Sequence, residues 1–151
     1  MKKILLLFVA IILSTQTMLA QHIDSKVAYK YNFIVNLDKD GNAIQKLDCQ
    51  GIILLAQSNG QQAISITIGD KETYTGVVYS KKEEHVGSNT KLTVYLVIQE
   101  FQGHKVPLQI FEEYDLSKSP FIPNCFTVMI CNSQTGESVQ GQAFYNISRI
   151  R

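Results

Sequence analysis

Asp38, Asp40 and Asn42 occupy the first, third and fifth positions of a calcium-loop spacing. Short oxygen-bearing side chains alternate there as such a loop requires. The match then lapses, because Ala43 stands where the loop needs glycine and Cys49 where it needs a bidentate glutamate. Asp, Gly and Asn are also ordinary hairpin-turn residues. The three remain weak metal candidates beside a plain-turn reading, and no metal or other cofactor is expected.

Catalytic constellations fare no better. His22, His85 and His104 are far apart in sequence, with no His or Cys at a ligand-like offset. Gly136-Glu137-Ser138-Val139-Gln140-Gly141 approaches a nucleophile elbow, but its last glycine falls one position late. Glu112, Glu113 and Asp115 form a dense carboxyl group, yet neighbours on a strand point to opposite faces. Only Glu113 and Asp115 could share one, as a pair for glycoside cleavage would require. Cys125 and Cys131 lie in an apolar run, which raises a thiol pKa instead of lowering it. No catalytic residue is assigned.

Cys125 and Cys131 also belong to one extended run, which puts their Cα atoms roughly 20 Å apart at ~3.3 Å per residue. Any disulfide must therefore join Cys49 to Cys125 or to Cys131. Three reduced, buried thiols are the alternative. The tyrosines are more suggestive, because each joins apolar area to a polar tip suited to a pocket or to a packed core. Tyr29, Tyr31, Tyr74, Tyr95 and Tyr145 all fall within strand patterns and stand as weak ligand-binding candidates.

The elements that would carry these residues are strands. Ser58-Asn59-Gly60 and Gly69-Asp70-Lys71 separate three strand-forming runs between Ile52 and Tyr79. Asn-Gly suits a two-residue hairpin whose central positions both need φ > 0. Ile64, Ile66 and Ile68 alternate with Ser65 and Thr67, the period of a half-buried strand. Upstream, Tyr29, Tyr31, Phe33, Val35 and Leu37 share one face, with Ile34 as the exception. Downstream, Ser80 to Thr90 is polar enough to read as a mobile loop. Leu92, Val94, Leu96 and Ile98 then read as the apolar face of the next strand, and Val106, Leu108 and Ile110 as that of the one after. Pro107 implies an edge or a bulge. Cys125 to Cys131 is apolar on both faces, as in a doubly covered strand. Gly76 and Gly141, inside strand patterns, are candidate bends.

The pattern predicts an all-β fold: an antiparallel meander of eight or nine strands curling into a barrel or a two-sheet sandwich, without helices. In layout it resembles the lipocalin-type calyx proteins. That resemblance is one of architecture; their Gly-x-Trp motif is missing from a chain without Trp, so no site residue is implied.

Residues 1–20 carry Lys2 and Lys3, then an apolar run from Ile4 to Leu13, then small polar residues leading to Ala20. This is the layout of a secretory signal peptide, with cleavage before Gln21 and a single domain over residues 21–151. The apolar run is about half the roughly 20 residues of a spanning helix. No Cys follows the cleavage point, so a lipid anchor is not expected; the mature chain reads as soluble, periplasmic or secreted, without a membrane span. Removing the leader takes two lysines and no acid, leaving a net charge of about −1. A chain so nearly neutral, without a basic block, offers nucleic acid no electrostatic footprint. The expectation is an exported, non-catalytic binding or interaction module for a small ligand or another exported protein. A structural envelope protein and a small secreted hydrolase are the alternatives.

Overall fold

The computed structural model describes residues 25–118 and 122–150. The proposed signal peptide, its cleavage point and His22 lie outside the described residues. Eleven strands form one antiparallel sheet, and no helix among the described residues is long and apolar enough to cross a membrane. They are β1 (Ser25–Tyr31), β2 (Phe33–Leu37), β3 (Ala43–Leu47), β4 (Gly51–Ser58), β5 (Gln61–Ile68), β6 (Lys71–Val86), β7 (Thr90–Phe101), β8 (His104–Asp115), β9 (Cys125–Cys131), β10 (Ser138–Tyr145) and β11 (Ser148–Arg149). Their spatial order is β11-β1-β4-β5-β6-β7-β8-β9-β10-β2-β3.

The count exceeds eight or nine because two long runs are broken in the middle. Asn32 divides β1 from β2, and Asn146, at φ 57°, divides β10 from β11. The two breaks lie side by side. Tyr29 and Lys30 pair with Arg149 and Ser148, pairing resumes at Phe33↔Tyr145, and the Asn32 amide donates to the Tyr145 carbonyl at 3.1 Å. The sheet is not closed into a barrel and keeps β11 and β3 as edges. It curls until its first and last runs lie alongside each other, with β1 paired to β4 and β2 to β10. The break at Asn32 also changes which parity faces inward. Tyr29 and Tyr31 are buried in the interior, and so is Ile34; its apparent exception to the alternation marks the break.

Two other expectations are corrected. Ser80 to Val86 is not a loop: it continues β6 and pairs with β7 as far as Val86↔Thr90. The charges that make it look like a loop are matched. Glu83 bridges Lys81 and Lys91, each at 3.1 Å, and Lys82 meets Glu84 at 2.5 Å. A strand whose polar side chains find partners along and across the ladder can project beyond an apolar core. The facing of β7 is also reversed. Thr93, Tyr95 and Val97 are the buried residues, while Leu96 is 39% exposed and Leu92, Val94 and Ile98 are half-buried. Tyr95 and Val97 stand opposite Ile110 and Leu108, both inside the core, and that pairing fixes the facing.

Several other features agree with the sequence. Asn59 (φ 52°) and Gly60 (φ 77°) are the two turn residues between Ser58 and Gln61. Pro107 sits on β8 beyond the stretch paired with β9, which begins at Leu108, so the strand is locally an edge there. β9 is covered on both faces: Phe126 and Val128 join the inner core, while Cys125 and Met129 pack outside with Leu37 and Ala143. At Gly76 a Cβ would run into the Ile98 carbonyl and the Val97 side chain, so that position needs glycine for close approach. All three cysteines are free thiols, and the bridge from Cys49 to Cys125 or Cys131 is not formed. Cys49 packs against the inner cluster and Cys125 belongs to the outer one, on the other side of the sheet.

Candidate ligand-binding groove

The curl sorts the five tyrosines into three settings. Tyr29, Tyr31 and Tyr95 are in the filled interior, Tyr74 is buried in the same core at the edge where a groove opens, and Tyr145 is on the outer face stacked on Phe33. Burial raises the pKa of each.

Toward the Thr90 end of β7 the interior carries a sealed polar cluster. The Glu112 side chain is buried, and it accepts hydrogen bonds from the Tyr95 hydroxyl at 2.7 Å and the Tyr114 hydroxyl at 2.6 Å. Lys81 lies over the Tyr95 ring and Lys91 near the Tyr114 ring, with Glu83 between the two ammonium groups. Glu83 is held below the usual carboxylate range by Lys91 first and then by Lys81. Each Glu112 oxygen thus has a donor from within the chain, and no buried side-chain oxygen or nitrogen among the described residues is left without a partner.

Toward the Lys71 end of β6 the arrangement is open. Tyr74 donates across the interior to Gln142 Oε1 at 2.9 Å, and Gln142 Nε2 donates to Asn36 Oδ1 at 2.9 Å. Gln142 and Asn36 are cross-strand partners on β10 and β2, which fixes their side chains on one face. These residues line a groove of about 560 Å³, with Gln140, Ile44 and Val139 among the other walls. Its volume lies within the range of roughly 300–1,000 Å³ for small-molecule sites. Ile44 is 68% exposed and Val139 is 54% exposed, so the polar floor has an apolar rim. Sequence reasoning misses Asn36 and Gln142. The signal that could have found them is Gln140 and Gln142 alternating with small or apolar residues on β10.

The other sequence candidates do not converge. The Asp38 carboxylate accepts from the Asp40 amide at 2.9 Å, the Asn42 amide at 2.8 Å and Asn42 Nδ2 at 3.0 Å. Those donors, the Asn42 side chain foremost, depress its pKa and complete an Asx-type turn. Among the described residues no three of His, Cys, Asp and Glu gather as a metal-ligand set. Glu112 points inward, whereas Glu113 takes a hydrogen bond from Asn124 Nδ2 and Asp115 binds Ser117 and Lys118 in the following turn. His85 and His104 are exposed, and Ser138 is half-buried at the start of β10. Burial pushes the Cys125 thiol up, away from what a nucleophile needs.

No family model matches this sequence, and comparison with curated proteins and with solved structures found no match.

Proposed function

We propose that this chain is an exported, non-catalytic binding module that takes a small ligand in the groove between β2, β3 and β10. The observation that carries the reading is the Tyr74–Gln142–Asn36 relay, which runs from a buried core tyrosine out to half-buried amides that line the groove. A pocket with a few convergent polar groups and an apolar rim is the usual form of a small-molecule site. Export rests on the layout of residues 1–20. Native mass spectrometry of the exported protein tests the reading, with retention of a small molecule as the expected result. Asn36→Asp should lower that retention while far-ultraviolet circular dichroism stays unchanged. A protein that emerges empty, and whose Asn36 and Gln142 amide signals ignore every added compound, overturns it.

A second reading is favoured by the outward apolar residues of β7. Leu96 and the neighbouring Tyr79, 72% exposed, would then meet another envelope protein. Crosslinking from position 96 in intact cells separates the two readings.

A further inference from the structure

The groove's hydrogen-bonding inventory restricts what can fill it, if the binding reading above holds. The Tyr74 proton is spent on Gln142, and one Gln142 N–H is spent on Asn36. No acceptor among the described residues meets the Asn36 amide nitrogen, so it is the open end of the relay, with two N–H donors. Gln142 keeps a second N–H and a second lone pair, and the Tyr74 oxygen keeps its lone pairs as an acceptor. Gln140 adds a complete amide, exposed at the wall. The floor thus offers donors and acceptors together, and every one of these groups is neutral.

Ionic ligands do not match that inventory. A carboxylate or phosphate accepts only, which would leave the Gln142 and Gln140 oxygens facing lone pairs. An ammonium donates only, which would leave the Asn36 nitrogen facing N–H groups. The rim adds no net charge to select either, because Asp38 and Lys39 are adjacent there. Asp38 is in addition already engaged by three N–H donors.

We infer that the groove is a site for a short neutral saccharide. A sugar hydroxyl both donates and accepts, so vicinal hydroxyls can pair with side-chain amides in both directions at once. The C–H face of a pyranose ring is apolar, and Ile44 and Val139 supply exposed apolar surface at the rim for it to cover.

The test is titration of the exported protein with maltose, cellobiose and lactose, beside glucuronate, glucosamine and glucose 6-phosphate, reading the side-chain amide signals of Asn36, Gln140 and Gln142 by NMR. At least one neutral disaccharide should shift all three signals and bind about tenfold or more tightly than every charged sugar. Asn36→Asp turns the donor end into an acceptor and should weaken that disaccharide about tenfold, the loss of roughly one good hydrogen bond to an unmatched group. Gln140→Ala, at an exposed position where folding is not at stake, should weaken it several-fold. If glucuronate, glucosamine or glucose 6-phosphate shifts the same signals at equal or lower concentration, the saccharide is not neutral, and this inference falls while the groove remains a site. If no sugar moves the signals but the exported protein retains another small molecule, the class is wrong and the site stands. If nothing binds and nothing is retained, the binding reading falls with it.

Discussion

The interior of the curled sheet has a polar cluster toward each end, and the two are built from different chemistry. Toward the Thr90 end of β7, Glu112 is 3% exposed and satisfied by Tyr95 and Tyr114. Toward the Lys71 end of β6, Tyr74, Gln142 and Asn36 form a relay whose last amide nitrogen meets no acceptor among the described residues and which ends at a groove. A buried carboxyl group is costly unless its partners are supplied from within. That requirement explains why the Glu112 end is sealed by tyrosines and ties β8 to β7. Neutral amides carry a smaller desolvation cost and tolerate partial exposure. The first cluster is therefore suited to holding strands together, and the second to exchanging water for a ligand.

The largest expected effect comes from breaking the sealed end. Glu112→Ala orphans the Tyr95 and Tyr114 hydroxyls at about 1–3 kcal/mol each. With the cavity added, guanidinium unfolding should find a loss of about 3–5 kcal/mol. A loss under about 1 kcal/mol would mean that water reaches this cluster too, and the contrast would disappear. The same end predicts alkaline behaviour. Burial and then Glu112 raise the pKa of Tyr95, and burial with the Glu112 hydrogen bond raises that of Tyr114. Both lie above the unfolded value of about 10, so the folded state holds these protons longer than the unfolded chain. Stability should be intact below about pH 10 and fall as pH rises beyond it. Chemical unfolding that shows no fall in stability between about pH 10 and pH 12 would contradict the sealing.

Next in size is a position outside both clusters. Gly60→Val puts a β-branched residue at φ 77° in the β4–β5 turn, at a cost on the order of 1–2 kcal/mol. It should lower the melting temperature by several degrees without changing ligand retention, whereas Asn59→Gly should be nearly silent. A Gly60→Val protein that lost its ligand would show that the groove depends on global stability instead of local chemistry.

Much of this frame was legible because it rests on local rules. Asn59-Gly60 states its own turn, and Ile64 and Ile66 state their own facing. The interior polar clusters were not legible, for a physical reason. Tyr74 and Gln142 are 68 positions apart and meet only across the curl. In sequence Glu112 is one member of a dense carboxyl group, because its tyrosine partners are visible only once β7 and β8 are in register. β7 was misread because both of its faces are apolar, so alternation alone could not say which one turns inward. The charged stretch after Tyr79 was misread because loop-like composition is also what a projecting strand needs when its charges pair across the ladder. In each case the missing information was non-local pairing.

Tyr74→Phe should have a small effect, because it deletes one hydrogen bond and leaves the ring in place. The Gln142 oxygen it leaves behind lines the groove, where water can replace the lost donor. The expected loss is about 0.5–1.5 kcal/mol, toward the lower bound if water enters freely. Smaller still is the coupling between the ends. Among the described residues, Glu112, Tyr95 and Tyr114 share no hydrogen-bonding partner with Tyr74, Gln142 and Asn36. Independent sites add to within about 0.3–0.5 kcal/mol, so Glu112→Ala combined with Tyr74→Phe should unfold at the sum of the two single losses within that margin. The double-mutant cycle would also read a positive result. A coupling near or above 1 kcal/mol would mean that the packed layer between the clusters transmits strain from one to the other. The sealed end would then help set the geometry of the groove, and Glu112→Ala should loosen ligand retention as well as stability.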